Sequence, residues 1–284
     1  MSGFQEDIYA VIGNPVGHSL SPLMHNSAYR EMGLAARYVA FTVADLENAV
    51  RGIRALGIKG VSVTIPHKVE VMKYLDDVDE EARQIGAVNT IINDQGRLRG
   101  ANTDWLGIVR TLREAMDING RTFVVLGAGG TALAALYGLA REGGRPVVVN
   151  RTMAKGEQLA KAWGCPFYPL AEIGALRADC LINTTPVGMY PRVGASPLPA
   201  AVLGNFHWVL DVIYNPLSTR LLRDAGAAGC GILSGLDMFV HQGAEQIRLW
   251  TGRDAPRLLM REVVKDHLLP RGNRGGHEGS QTTH

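Results

Sequence analysis

Apolar positions fall in short runs, separated by segments of helical period, along most of the chain. That alternation predicts an α/β protein with largely parallel sheets. "DIYAVIG", "RYVAFTV" and "GVSVTI" read as strands, the last two each followed by a helical segment. "SPLMHNSAYREMG" reads as a helix with Ser21 as N-cap, Pro22 at the first helical position and Gly33 just past the end. "AVNTIINDQGRLRG" looks like a hairpin turning at Asn93-Asp94-Gln95-Gly96, and "NTDWLGIVRTLREA" opens a helix that crosses between domains.

From residue 122 the pattern changes to strand, glycine turn and helix in "TFVVLGAGGTALAALYGLAREGG". Further strands follow in "RPVVVNRT", "DCLINTT" and "WVLDVIY". These runs place a first domain at 1–102 and a second at 103–236. Helices from "GLDMFVHQGAEQIRLWTG" and "DAPRLLMREVVKDHLL" (237–270) are apolar enough to pack back on the first domain. The polar, glycine-rich segment 271–284 shows no burial pattern and is expected to be disordered.

Composition narrows the class. Hydrophobic content of 46% with 20% charged residues fits a globular protein with a sizeable core. A formal net charge of +2 without a basic run gives no footing for nucleic acid or an anionic membrane. The start lacks a basic, apolar leader and no run spans a bilayer, so a cytoplasmic protein is expected. Cys165, Cys180 and Cys230 are far apart and odd in number, which suggests buried thiols rather than disulfides or a zinc site. The eight histidines form no ligand cluster; His18, His25 and His67 are expected to act as hydrogen-bonders, with no metal.

The chemistry begins at the glycine turn. Gly127, Gly129 and Ala132 fit G-x-G-x-x-[GA] between a strand and a helix, the setting of a dinucleotide pyrophosphate site. A helix starting near Gly130 would offer free N–H groups to that anion. At the end of the next strand an NAD enzyme usually carries Asp or Glu for the ribose 2′-hydroxyl. Here stand Asn150-Arg151-Thr152, with Lys155 beyond, a set that suits a 2′-phosphate and predicts NADP.

Three further features are less decisive alone. "VSVTIPHKVE" runs an apolar strand into Lys68, and "NTDWLG" puts Asp104 at a helix start. A helix start disfavours a cation, whereas an ionised aspartate close by would favour one, so the two influences oppose. "GNPVGHSLSPLMHN" sets Ser19 and Ser21 around a helix start, where hydroxyls and free amides suit a carboxylate. Each also has a plainer reading: a surface lysine, a capping aspartate, a serine-rich turn.

Taken together and in order, "GNPVGHSLSPLMHN", "VSVTIPHK", "GAVNT", "NTDWLG", "GAGGTA", "NRT", "INTTPVGM", "DVIYNPLSTRLL" and "GLDMFVHQGAEQIRLWTG" resemble the shikimate dehydrogenase family. The resemblance runs from about residue 8 to residue 252. It implies an α/β substrate domain, a Rossmann NADP domain and a cleft between them. It further implies reversible NADPH-dependent reduction of 3-dehydroshikimate to shikimate, on the route to chorismate. By the same resemblance Ser19 and Ser21 bind the substrate carboxylate with help from Tyr214, while Thr64, Asn89 and Gln242 bond the ring hydroxyls. Lys68 and Asp104 match the catalytic pair, with Lys68 giving the proton, and Gly235 and Met238 would lie near the nicotinamide. Two positions depart from the family pattern: Leu133, where arginine is common, and Phe239, where leucine is. The partner implied is a small-molecule substrate, the chain acting as monomer or homodimer. Two other readings share these motifs: a quinate/shikimate dehydrogenase of broader range, and a non-catalytic ligand sensor. Retention of both Lys68 and Asp104 speaks against the sensor.

Overall fold

The computed structural model describes residues 6–269; the segment 271–284, expected to be disordered, lies outside them. The first part of the chain runs β1 (Asp7–Gly13), α1 (Ser21–Glu31), β2 (Ala36–Thr42), α2 (Leu46–Ala55), β3 (Gly60–Val63), β4 (Asp77–Val78), α3 (Glu80–Ile85), β5 (Thr90–Asp94) and β6 (Arg97–Ala101). After α4 (Asp104–Arg113) come β7 (Thr122–Leu126), α5 (Gly130–Arg141), β8 (Arg145–Asn150), α6 (Met153–Trp163), β9 (Phe167–Pro169), β10 (Ala178–Asn183), β11 (Phe206–Asp211), α7 (Arg220–Ala227) and β12 (Gly231–Ser234). The chain closes with α8 (Gly235–Thr251) and α9 (Arg257–Leu268).

The strands form two six-stranded sheets. The first has the order β2-β1-β3-β5-β6-β4 and is mixed, because β5 pairs antiparallel with both β3 and β6. The reversal comes from the β5–β6 hairpin, where Gln95 (φ 49°) and Gly96 (φ 93°) take the left-handed values that tight hairpin turns require. The expected hairpin is therefore present, and its turn centres on Gln95-Gly96. The second sheet is parallel throughout, with the order β12-β11-β10-β7-β8-β9. Numbered from β7, that is the doubly wound order of a Rossmann fold, whose ligand crevice opens where the chain reverses direction, between β7 and β10.

Two helices join the halves. Trp105, Ile108, Val109 and Leu112 of α4 pack into the second sheet's core with Phe123, Val125 and Leu136. On α8, Met238 belongs to that same core, whereas Leu236, Phe239, Val240, Ala244 and Ile247 join Tyr9, Val11, Met24 and Tyr29 over the first sheet. Met260 and Val264 of α9 complete the latter cluster, so the closing helices do lie on the first sheet. Burying an aliphatic or aromatic side chain is worth roughly 1.5–3 kcal/mol. Opposite faces of one helix thus clamp two sheets in register.

Two expectations need correction. Ser21 is the first residue of α1, not its N-cap: that position falls to Leu20, and the Ser19 hydroxyl accepts the Ser21 N–H at 3.2 Å. After β3 the chain enters a 3-10 turn over Glu70–Tyr74, not an α-helix, so Lys68 feels no sizeable helix dipole. Of the cysteines, Cys180 and Cys230 are buried and Cys165 is half-buried; all three are free thiols. Among the described residues no helix is long and apolar enough to cross a membrane, and no group of three or more His, Cys, Asp or Glu is placed to hold a metal.

Candidate active site

A cavity of about 210 Å³ lies between the two sheets. It is smaller than the ~300–1,000 Å³ usual for drug-sized ligands, and so suits a compact metabolite. Its floor comes from the first sheet. Strand β3 carries Thr64 and Lys68 to the cavity, and the Lys68 carbonyl accepts the Val88 N–H at 2.8 Å, which fixes the lysine backbone. Gly13 leaves room for this: a Cβ there would stand 2.4 Å from Thr64 Cγ2.

Asp104 enters from the other side as the first residue of α4. Its N–H donates to Asn102 Oδ1 at 3.0 Å, and Asn102 Nδ2 is tied to the Ala87 carbonyl at 2.8 Å. Lys68 Nζ donates to Asp104 Oδ2 at 2.6 Å, with side chains only 13% and 6% exposed. Asn89 Nδ2 donates to the other oxygen, Oδ1, at 2.9 Å. Lys68 Nζ also lies 3.4 Å from Thr131 Oγ1 in the first turn of α5. A buried ammonium with one carboxylate and room for a third oxygen is equipped to pass a proton to a substrate oxygen.

At the far end of the cavity the start of α1 collects hydroxyls. Ser19 Oγ donates to Ser21 Oγ at 3.1 Å, and the Leu20 N–H donates to the Tyr214 hydroxyl at 3.3 Å. No acidic residue occupies the first turn of α1, so its amides favour an anion. Burial pushes the Tyr214 and Tyr38 hydroxyls up from their ordinary values, which keeps both neutral donors. Tyr214 stacks on Phe239 at 4.0 Å and 17°, which gives that phenylalanine a role in holding the tyrosine.

The second sheet supplies the roof. Thr184, Thr185, Val212, Ile213 and Asn215, from the loops after β10 and β11, all line the cavity. Beneath them the buried Asp211 carboxylate accepts Asn183 Nδ2 at 3.0 Å, the Ile213 N–H at 3.2 Å and the Thr219 hydroxyl at 2.7 Å. Burial outweighs these bonds and raises Asp211 to about 6.

The glycine turn sits at the crevice. Gly127 takes φ +121°, a value that favours glycine, and its N–H donates to the Val149 carbonyl at 2.9 Å. Gly129 caps α5 without any side-chain bond, and a Cβ there would meet no protein atom. The first amides of α5 thus face an open cradle, as a pyrophosphate requires.

With this geometry in hand, the chain can be set beside known proteins. A model described as the shikimate dehydrogenase substrate binding domain matches residues 11–91, and the shikimate 5'-dehydrogenase C-terminal domain matches residues 235–265. A curated relative, the shikimate dehydrogenase (NADP(+)) of Moorella thermoacetica, is 45% identical over 275 residues, covering 92% of this chain and 93% of its own. The chain belongs to the shikimate dehydrogenase family. The relative of the same description in Caldanaerobacter subterraneus subsp. tengcongensis is 46% identical over 272 residues, covering 92% and 97%. Among solved structures, shikimate 5-dehydrogenase of Thermus thermophilus in complex with NADP(H) and shikimate matches with TM-score 0.85 and 37% identity, over 92% of this chain and 99% of that one.

Apart from the glycine turn, the residues expected to act divide into three groups. Ser19, Ser21, Thr64, Lys68, Asn89, Asp104, Tyr214, Met238 and Gln242 all line the one cavity. Asn150, Arg151, Thr152 and Lys155 cluster at the end of β8 and the start of α6, apart from it; the last three are exposed, and Asn150 Nδ2 braces the loop through the Thr152 carbonyl at 2.8 Å. Two residues expected at the cofactor, Ala132 and Gly235, lie deeper in the fold. Ala132 is fully buried in the second core, where its small side chain serves the close helix–strand packing that the third position of the glycine motif requires. Gly235 is buried against the Val212 carbonyl, where a Cβ would stand 2.4 Å away, so its missing side chain admits the start of α8 beside the roof of the cavity. Leu133 likewise packs on the second core. Among residues the sequence did not single out, Thr131 and Gln246 both reach the cavity. A signal for Gln246 was available, since it lies one helical turn beyond Gln242.

Proposed function

We propose that this chain is an NADP-dependent shikimate dehydrogenase, interconverting 3-dehydroshikimate and shikimate. The observation that carries the reading is the Lys68–Asp104 pair, 2.6 Å apart at a cavity that also holds a hydroxyl-rich carboxylate site. The curated relatives' description as NADP(+) enzymes supports the cofactor, and so does the cationic end of β8.

Each residue then has a task. Ser19, Ser21 and the α1 amides hold the substrate carboxylate, with Tyr214 beside them. Thr64, Asn89 and Gln242 face the ring hydroxyls. When bound, NADPH supplies the hydride that the substrate's carbonyl carbon receives. As that carbon accepts the electron pair, the carbonyl π pair moves onto oxygen, and the Lys68 ammonium donates a proton there to give the alcohol. Asp104 keeps the ammonium aimed and bonds the new hydroxyl; in the oxidative direction Lys68 takes the proton back. Gly127, Gly129 and Gly130 would cradle the pyrophosphate, and Asn150, Arg151, Thr152 and Lys155 the 2′-phosphate. The division of the chain follows the same logic, with 1–102 and 237–270 forming the substrate domain and 103–236 the cofactor domain.

The test is an absorbance assay at 340 nm with four mixtures, shikimate or quinate with NADP+ or NAD+. Shikimate with NADP+ should give the highest kcat/KM. No reduction with shikimate would overturn the reading, and equal rates on quinate would replace it with the broader enzyme.

A further inference from the structure

A single hydrogen-bonded chain runs through the wall behind the cavity. The Tyr38 hydroxyl donates to Ser62 Oγ at 2.6 Å, and Ser62 donates to Gln246 Oε1 at 2.8 Å. Gln246 Nε2 donates to Thr90 Oγ1 at 3.0 Å and to the Asn89 carbonyl at 3.2 Å. Thr90 donates to Asn89 Oδ1 at 2.8 Å, and Asn89 Nδ2 donates to Asp104 Oδ1 at 2.9 Å. Every link points its proton toward the carboxylate, and all the residues are buried, Gln246 being 1% exposed. Aligned donors in a low-dielectric interior strengthen one another.

Neither amide can turn over. The backbone N–H of Thr103 must donate, and it points at Asn89 Oδ1 at 2.8 Å, which commits Nδ2 to Asp104. The Asn89 carbonyl must accept, which commits Gln246 Nε2 to it and Oε1 to Ser62. A reversed Gln246 would set two acceptors face to face and free the Thr90 hydroxyl from Asn89. Asn89 spends its other Nδ2 donor on Thr103 Oγ1 at 2.9 Å, so both of its amide protons are committed within the protein and any substrate hydroxyl it meets must donate to it.

We infer that Gln246 is a positioning residue for the catalytic pair: acting through Thr90 and Asn89, it holds one oxygen of Asp104 and leaves the other to Lys68. The inference rests on the functional reading above. It does not require Gln246 to touch the substrate.

The experiment measures kcat and KM for shikimate across pH in the wild type, Gln246→Leu, Gln246→Glu, Asn89→Ala and the Gln246→Leu/Asn89→Ala double variant. Gln246→Leu should lower kcat about ten- to a hundredfold, the scale of a displaced catalytic group. It should also shift the pH limb of kcat while leaving KM for shikimate within about twofold. The double variant should be no slower than Asn89→Ala alone, because the effect passes through Asn89. Gln246→Glu keeps the shape but loses the donor. Its rate relative to wild type should be low near neutrality and recover as pH falls and the carboxyl regains a proton. Should Gln246→Leu fail to fold, that recovery in Gln246→Glu carries the test. A raised KM with kcat and pH profile unmoved would make Gln246 a substrate contact, and additive losses in the double variant would make it packing; either overturns the inference. A wild type that shows no shikimate oxidation overturns the functional reading, whereas an active wild type with an unaltered Gln246→Leu overturns only this one.

Discussion

Lys68 and Arg151 are both cations assigned to ligand handling, and the fold treats their surroundings in opposite ways. Around Lys68 each partner is held by another: Asp104 by Asn102 and Asn89, Asn89 by Thr90 and Thr103, and that set by Gln246. Around Arg151 the side chains are exposed, and the bracing bond of the loop comes from Asn150 to a backbone carbonyl. On the proposed assignment, geometry is stored where bonds are made and broken, while the cofactor's distal phosphate meets exposed charge. Chemistry that tolerates little displacement needs a rigid frame. A phosphate can be gripped by charge-assisted hydrogen bonds from exposed side chains that settle on it as it binds.

The sharpest way to break that contrast is Lys68→Ala. It should cost about 10²–10⁴-fold in kcat, the usual worth of a placed acid–base group. Shikimate binding, followed by calorimetry, should survive; near wild-type turnover would remove Lys68 from the mechanism. Next in size is Arg151→Asp. One or two charge-assisted bonds, at roughly 1.5–3 kcal/mol each, set a cofactor preference of about ten- to a thousandfold. The kcat/KM ratio of NADP+ to NAD+ should fall by that factor, while kcat at saturating cofactor holds. An unchanged ratio would mean that Arg151 is a surface charge and nothing more.

The smallest effect tests whether the cofactor half also stores geometry where it meets the cavity. Asp211, below the roof loops, is raised by burial to about 6. A carboxyl raised on folding contributes stability that is present at low pH and lost as pH rises through its folded value. The wild type should therefore gain about 1 kcal/mol over Asp211→Asn on going from about pH 7 to pH 5, read from urea midpoints. Asn can keep the bonds from Asn183 and Ile213, so the variant should fold. Parallel curves for the two proteins would show that Asp211 does not titrate in that window.

The same contrast separates what the sequence made legible from what it did not. Strands with apolar runs and clear punctuation were readable: "DIYAVIG" is β1 residue for residue. The glycine turn was readable because its backbone demands are local. Ser21 was misjudged as a cap because the chain tightens one residue earlier, where Ser19 reaches back to serve it. The short strands β9 and β12, three and four residues long and mostly half-buried, carry no alternation to detect. Gln246 offered one local hint, its place a helical turn beyond Gln242, but its role was hidden. Its partners Ser62 and Asn89 lie 184 and 157 residues away, a separation that no window along the chain spans.

Gly130 ties the two halves together more closely than any domain division suggests. A Cβ at this first residue of α5 would lie 3.1 Å from Lys68 Cβ and 3.2 Å from its Cδ, tighter than ordinary contact allows. The nucleotide-binding half is consequently no free cassette. A Rossmann module grafted in from elsewhere, bearing alanine or serine at that spot, would require the Lys68 side chain to yield by a few tenths of an ångström.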